Sequence, residues 1–450
     1  MEISKQPQPP ARGSGVAALF HGAAASINGI AHRTFRSLEV RDYRILWMGF
    51  MGSWFAMQML QVARGYLAYR LTGNALALGM VTLAMGLPRM VLSPVGGALA
   101  DRFSKRSVLL WTQAALGLLA LVQAILLTLD LMTIEWLMLF GFLQGAAFSF
   151  NMPARQAYLP AIVGKGQALA NAIALNSAGM NLSRVLGPSI AGVLIAIPFV
   201  EVTGVFYLIA ACYIWVWWSV FRVQNPGRPE GRRRGVTRGI SDGFGYVSRR
   251  PALRALMSLG FVPLAIGMPY MNLMPVVAVH DLRIGSVGLG VLLSIAGIGS
   301  LTGTLMIAYL AQYPAKAKLQ LGLGVVFGLS LLAFAFFTWK GVTLAAALLL
   351  FAVGMSSDAY MALNSSLVML NTEAGVYGRV MGVYMMAQSI RPITVLPMSA
   401  LADALSTPIT LMLSGGIVAA FVTGVATLYP GYRRISADGV RGPVEPTAID

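Results

Sequence analysis

The chain has 450 residues, of which 57% are hydrophobic and only 11% are charged, and it carries a formal net charge of +17. Soluble domains carry about 25% charged residues, and a soluble chain of this length would need several polar surfaces around separate cores. The composition therefore excludes an ordinary soluble protein. Nucleic acid is not an expected partner, because the cytoplasmic loops of membrane proteins also accumulate basic residues and no basic helix or stacking platform is evident.

In chain order, a polar and basic cytoplasmic tail is predicted over residues 1–42. Six apolar stretches near the membrane-spanning length of about 20 residues follow and predict an N-terminal six-helix bundle over 43–221. A basic cytoplasmic central loop is expected over 222–253, a C-terminal six-helix bundle over 254–429 and a cytoplasmic tail over 430–450. The predicted spans are 43–69, 75–98, 107–129, 133–153, 167–195, 202–221, 254–279, 286–311, 318–339, 342–369, 376–402 and 407–429.

The distribution of charge supports this arrangement. Loops assigned to one side hold most of the basic residues, Lys105, Arg155 and Lys316 among them, whereas the other side holds only Arg70, Arg283 and Lys340. Such an asymmetry is typical of the positive-inside rule, so both termini are predicted to be cytoplasmic. Short matching segments of the two halves also recur at nearly the same offset, and internal duplication of this kind is typical of transporters with a substrate site near the midplane.

Five ionisable residues lie well inside the predicted spans, and four of them are arginines. A charge at the bilayer centre costs at least about 2.5–3.5 kcal/mol, so such residues usually face a polar interior. A structural role stays open for two of them, because Arg64 could pair with Asp358 and Arg89 could orient a kink at Pro88 or reach the lipid headgroups. The predicted substrate contacts are Arg184, Arg391, Gln58, Gln61, Arg64, Asn181 and Gln388.

Asp358 is the only carboxylate deep in a predicted span. Burial favours its neutral form and a neighbouring arginine favours its charged form, so it can exchange a proton as its surroundings change. We therefore predict that Asp358 couples transport to protons. The excess of interior arginines further predicts a substrate with an anionic or electron-rich face, with Arg184 and Arg391 as its principal contacts.

The short loop at residues 97–106 carries a glycine, an Asp-Arg pair and two further basic residues. It resembles the signature of the major facilitator superfamily, with Ser104 where the family often has glycine. The resemblance implies a cytoplasmic latch in which the aspartate binds the N-terminus of a neighbouring helix. The predicted latch residues are Gly97, Asp101, Arg102, Lys105, Arg106 and Arg379.

A second motif in the fifth predicted span contains Gly187, Pro188 and Gly192. It resembles the Gly-Pro antiporter motif of superfamily exporters, although ordinary helix packing is the alternative. Segments 151–157, 184–188 and 378–382 are similar to the branch that contains the enterobactin exporter and macrolide efflux proteins. This resemblance implies twelve transmembrane helices and a bacterial inner-membrane exporter of small molecules, an antiporter driven by proton entry.

Other functions stay open at this point. The chain could import an anionic solute, move a lysolipid, or act as a membrane sensor that does not transport. The coupling mechanism is also open, because the first predicted span contains no aspartate or glutamate, whereas other branches of the family carry a proton-binding carboxylate there. An enzyme is the weakest alternative, since no nucleophile–base or metal constellation stands out. No cofactor or metal is predicted; the expected partners are a small-molecule substrate, protons and the lipid bilayer, and we expect a monomer.

Overall fold

The computed structural model describes residues 36–164, 166–227, 244–310, 313–373, 376–388, 390–428 and 432. Side chains are not described at 36, 93–95, 97–101, 377–379 and 387–388. Most of the predicted tails, and half of the predicted central loop (228–243), therefore lie outside the described residues.

The described residues are almost entirely helical, and ten of their helices are long and apolar enough to cross a membrane. The prediction of an all-helical, multi-pass membrane protein is confirmed. A short 3-10 helix, Arg36–Glu39, precedes the first long helix. The helices are α1 Arg41–Thr72, α2 Ala75–Arg102, α3 Lys105–Thr128, α4 Ile134–Val163, α5 Gln167–Ala196, α6 Glu201–Arg222, α7 Pro251–Asp281, α8 Gly285–Tyr309, α9 Lys316–Trp339, α10 Thr343–Leu370, α11a Tyr377–Gln388, α11b Arg391–Leu405 and α12 Thr407–Leu428.

The helices that are not among these ten are α1 and the two parts of α11. Helix α1 is long enough but carries Gln58, Gln61 and Arg64 within its apolar stretch. In α11 the described helical segments are Tyr377–Gln388 and Arg391–Leu405, and the second begins with Arg391 and Pro392, a proline that cannot donate a main-chain hydrogen bond to a preceding turn. The same polar residues that pointed to a cavity therefore weaken the membrane-spanning signal of these helices.

One predicted boundary differs from the structure in a way that matters for function. The fourth span was expected to end at residue 153, but α4 continues through Pro153 and Pro160 to Val163. Arg155, which we predicted in a cytoplasmic loop, is consequently a buried residue of a helix, with 7% of its surface exposed.

In α7, π-helical turns occur at Pro263–Gly267 and Val277–Asp281, and turns of this kind are frequent at functional sites.

Helices α1–α6 pack mainly among themselves, and so do α7–α12 with the exception of α11b, which packs mainly on α2. We call these sets the first and the second group. Within the first, α2 packs on α4 and both α1 and α3 pack on α6; within the second, α8 packs on α10 and α9 packs on α10 and α12. Extensive contacts between the groups join α5 to α8 and α2 to α11b. This arrangement leaves residues of both groups facing each other in the centre of the molecule.

The contacts between the groups lie toward one end of the bundle. We call the side on which α1 begins and α12 ends the terminal face, and the other side the opposite face. Near the opposite face, a Cβ on Gly192 of α5 would lie 2.9 Å from the Cα of Gly290 in α8, an approach that small residues permit. Asp403 of α11b accepts hydrogen bonds of 2.7 Å from the main-chain N–H groups of Ala75 and Leu76, where α2 begins.

Candidate substrate cavity and the deep charges

A cavity of about 360 Å³ lies between the two groups of helices, a size within the usual range of about 300–1,000 Å³ for small-molecule sites. Residues of α1, α2, α4, α7, α8 and α11b line it. Its apolar lining includes four methionines, Met57, Met85, Met152 and Met271, and such flexible side chains adapt to ligands of different shape. The polar lining residues are Gln61, Arg64, Thr82, Arg89, Asn272 and Arg391.

Arg64 is the most enclosed of the three arginines in this lining, with 6% of its surface exposed. Its Nη2 donates a hydrogen bond to the side-chain oxygen of Gln144, and its Nη1 lies 2.6 Å from the sulfur of Met85. Both partners are uncharged, so the contacts fix the guanidinium without neutralising it. The Nε of Arg64 is buried and has no hydrogen-bond partner among the described residues.

Arg89 and Arg391 enter the cavity from the helices α2 and α11b. The guanidinium of Arg89 lies over the ring of Phe148, 5.1 Å from its centroid, in a cation–π arrangement. Arg391 is half-buried at the beginning of α11b and is followed by Pro392, which also lines the cavity. Pro392 and Gly86 are in close contact, because a Cβ on Gly86 would lie 2.1 Å from the Cβ of Pro392. The packing of α2 against α11b therefore positions both arginines.

Asp358 does not pair with Arg64. Its carboxylate lies 3.0 Å from the guanidinium of Arg184 and accepts a hydrogen bond from the hydroxyl of Ser300. The two charged side chains are partly accessible, with 33% of Arg184 and 19% of Asp358 exposed. The alternative of an Arg64–Asp358 ion pair is therefore wrong. Several arginines of the first group lie deep in predicted spans, and their spacing along the chain does not reveal which of them lies beside Asp358.

The predicted substrate contacts are only partly brought together. Gln61, Arg64 and Arg391 line the cavity, whereas Arg184 and Asn181 are not among its described lining residues. Gln58 lies instead against α5, since a Cβ on Gly187 would be 2.7 Å from the Cβ of Gln58. The side chain of Gln388 lies outside the described residues.

The structure tests the predicted latch only in part, because the surroundings of Gly97 and the side chains of Asp101 and Arg379 lie outside the described part of the structure. Arg102 is exposed at the end of α2. Lys105 is buried, with 1% exposed, and Arg106 donates hydrogen bonds of 3.3 Å and 2.5 Å to the main-chain oxygens of Val220 and Phe221. The guanidinium of Arg106 therefore holds the start of α3 against the end of α6, and the main-chain N–H of Lys105 donates a hydrogen bond of 3.1 Å to the main-chain oxygen of Gly227.

The glycines of the motif in α5 contact different helices. Gly187 faces α1, whereas Gly192 faces α8 in the second group. A Cβ on Gly290 of α8 would lie 2.6 Å from the main-chain oxygen of Pro188. The motif residues Gly187, Pro188 and Gly192 thus allow α5 to pack closely on two sides, which is a packing role that their spacing alone leaves open.

Sequence reasoning missed three polar residues of this region. Arg155 is buried with its guanidinium 3.8 Å from the ring centroid of Phe50, and we had assigned it to a loop. Thr82 and Asn272 line the cavity, with a side-chain contact of 3.4 Å between α2 and α7. A threonine or an asparagine in a predicted span gives a weaker signal than a charge, and only their placement in different groups of helices reveals their proximity.

Comparison with known proteins gives a consistent result. The family model MFS_3, described as "Transmembrane secretion effector", matches residues 32–435. The staphyloferrin A transporter of Staphylococcus aureus is 25% identical over 385 residues, which are 84% of this chain and 91% of that protein. The multidrug efflux pump Tap of Mycolicibacterium fortuitum is 28% identical over 285 residues, which are 61% of this chain and 68% of that protein.

Solved structures share the fold. A peptide transporter, POT, superposes with a TM-score of 0.70 at 13% identity, covering 88% of this chain and 95% of that chain. A bacterial homologue of the iron transporter ferroportin, in an inward-facing state, gives a TM-score of 0.67 at 14% identity over 88% of this chain and 99% of that chain.

Proposed function

Because the chain belongs to the transmembrane secretion effector family of the major facilitator superfamily, and is therefore a membrane transporter, we propose that it exports an amphiphilic small molecule in exchange for protons. The cavity between the two groups of helices is the observation that carries this proposal. It combines methionines with polar side chains, as expected of a site for amphiphilic compounds. The name of the relative Tap, a multidrug efflux pump, points to export.

The proposed architecture is twelve transmembrane helices in two six-helix bundles, over residues 43–221 and 254–429. The preference of α1–α6 and α7–α12 for contacts within their own group supports it. We place the terminal face, with the basic loop over 222–253 and both termini, in the cytoplasm, because positive charge is retained on that side. The protein would then act as a monomer in the bacterial inner membrane.

Alternating access follows from the position of the contacts between the bundles. Among the described residues, the contacts of α5 with α8 and of α2 with α11b include close main-chain approaches near the opposite face. With the terminal face in the cytoplasm, these contacts would shut the cavity from the outside. Export would require them to separate while the predicted latch around Asp101 forms on the other side.

Asp358 is the proposed site of proton coupling, and its pairing with Arg184 suggests how coupling would work. Arg184 belongs to the first group of helices, whereas Asp358 and Ser300 belong to the second. Protonation of Asp358 would remove its charge and with it most of the attraction to Arg184. A proton would thereby weaken a contact between the bundles, which is the link that a proton-driven conformational change requires.

The test is transport by the purified protein in liposomes under an imposed pH gradient, screened against a panel of amphiphilic compounds. We expect at least one compound to move against its gradient when protons flow the other way, and dissipation of the pH gradient should abolish this. Movement in the same direction as protons would identify an importer instead. Specific binding without movement of any bound compound would indicate a sensor and refute transport.

A further inference from the structure

We infer that the cavity binds the anionic group of its ligand, a carboxylate or a phosphate attached to an apolar body, through Arg64, Arg89 and Arg391. This inference rests on the proposed function, because it names the class of compound that the same cavity would carry. It differs from the expectation from sequence, in which Arg184 was a principal contact.

The charge of the lining is the first argument. Three guanidinium groups line the cavity, and its described lining contains no aspartate or glutamate. The deep carboxylate of Asp358 is bound to Arg184 and Ser300, and neither member of that ion pair lies in the lining. The pair therefore removes both a positive and the compensating negative charge from the site, and the cavity keeps its cationic lining.

The fixation of Arg64 is the second argument. Its two terminal nitrogens approach Gln144 and Met85, which are neutral, and it belongs to a helix with no acidic residue near the cavity. A guanidinium at this depth is costly unless an anion or a polar group accompanies it. Arginine is also the side chain best suited to bind a carboxylate or a phosphate with two parallel hydrogen bonds.

The remaining lining defines the other end of the ligand. Gln61, Thr82 and Asn272 supply neutral polar groups, whereas Met57 and Met271 are among the apolar side chains. A site that is cationic in one part and apolar with flexible side chains in another suits an amphiphilic anion rather than an inorganic ion. The volume of about 360 Å³ lies in the lower part of the range of about 300–1,000 Å³ for small-molecule sites, which favours a small probe.

The experiment compares three probes that share one aromatic body: naphthylacetate, the neutral naphthylacetamide and the cationic naphthylmethylammonium. Each is titrated calorimetrically into the full-length protein in nanodiscs of zwitterionic lipid. Naphthylacetate should bind at least about tenfold more tightly than naphthylacetamide, since a hydrogen bond to a charged group contributes more than a neutral one. Equal affinities, or a preference for the cation, would overturn the inference without any variant.

Variants then locate the site. Arg391→Gln should remove most of the preference for naphthylacetate, and Arg391→Lys should retain part of it because the charge remains. The matched control is Arg70→Gln, since Arg70 pairs with Glu201 at 3.0 Å near the opposite face and does not line the cavity. If Arg391→Gln elutes normally from a size-exclusion column and still prefers naphthylacetate over naphthylacetamide as strongly as the unmodified protein does, the assignment of the anion site to Arg391 is contradicted.

Two sources of the anion are distinguished by adding lysophosphatidylglycerol or lysophosphatidylcholine to the same nanodiscs. Competition by the anionic lysolipid alone supports a ligand from the bilayer, whereas naphthylacetate binding that neither lysolipid affects supports one from solution. A protein that exports a neutral or cationic compound and shows no preference for naphthylacetate refutes the anion site but not export. Binding of naphthylacetate through Arg391 without transport of any compound refutes export but not the site.

Discussion

Arg184 and Asp358 belong to different groups of helices, and their side chains meet at 3.0 Å. The pair lies beside a close main-chain contact, because a Cβ on Gly297 of α8 would be 2.9 Å from the main-chain oxygen of Arg184. Asp358 belongs to α10, which packs on α8, and its carboxylate binds Ser300 of α8, so a movement that carries α8 and α10 away from α5 would stretch or break this ion pair. The only deep carboxylate predicted from the sequence is thus placed where a change in its charge alters the contact between the groups.

Replacing Asp358 tests this connection. Asp358→Asn should abolish accumulation driven by a pH gradient while substrate exchange is at least partly retained, because the amide cannot carry a proton but can still accept a hydrogen bond from Ser300. The measurement is uptake into proteoliposomes with and without the gradient. Asp130→Asn is the matched control, since Asp130 is exposed in a loop with a φ of 54° that asparagine also tolerates. Coupling like that of the unmodified protein in Asp358→Asn would eliminate the assignment.

The two ends of the molecule should respond in opposite directions to loss of an aspartate. Asp403→Asn weakens the contact with the start of α2 and should favour opening at the opposite face, by about 1 kcal/mol or about fivefold in the ratio of states. Asp101→Asn should instead favour opening at the terminal face, if Asp101 acts as the predicted latch. Labelling of single cysteines on each face reports the balance, and a shift of the same sign in both variants would count against two separate latches.

A methyl group at Gly192 should prevent the closest contact between α5 and α8. In Gly192→Ala, the new Cβ would lie 2.5 Å from the main-chain oxygen of Ser286, which cannot move aside as a flexible side chain can. We expect increased cysteine labelling at the opposite face together with slower transport. Gly424→Ala is the control, because nothing lies within 4 Å of a Cβ at Gly424. Normal labelling in Gly192→Ala would show that the helices do not need this approach.

Arg155 should be important for stability. Its guanidinium lies 3.8 Å from the centroid of the Phe50 ring and 4.3 Å from that of Trp54, and a lysine cannot reproduce this planar stacking. Arg155→Lys should destabilise the protein by about 1–2 kcal/mol, seen as a lower midpoint of thermal unfolding in detergent. Arg44→Lys, at an exposed position of α1, should leave the midpoint unchanged. An equally small effect of both substitutions would refute the stacking argument.

The helices could be predicted from the sequence because apolar runs of membrane-spanning length are a strong signal. The end of α4 could not be predicted in the same way. A proline usually marks the end of a helix, which places the boundary at Pro153, but α4 continues through it. Membrane helices tolerate proline where neighbouring groups satisfy the freed main-chain groups. The placement of Arg64 and Arg391 in the cavity lining was predictable from their depth in the predicted spans. Their separation from Arg184 was not, because it depends on how α5, α8 and α10 pack.

At the start of α2, the hydrogen bonds that Asp403 accepts from described residues come from main-chain N–H groups, those of Ala75 and Leu76. The identity of the side chains there is therefore irrelevant to these hydrogen bonds, and Leu76, which is exposed, should tolerate many replacements. Ala75 is buried and limited in size, but it too contributes no side-chain group to the contact. Proline is usually favoured at the first position of a helix, yet here it would remove a donor that Asp403 uses. In homologues that retain an aspartate equivalent to Asp403, we therefore expect small residues in place of Ala75, many residue types in place of Leu76 and proline at neither position.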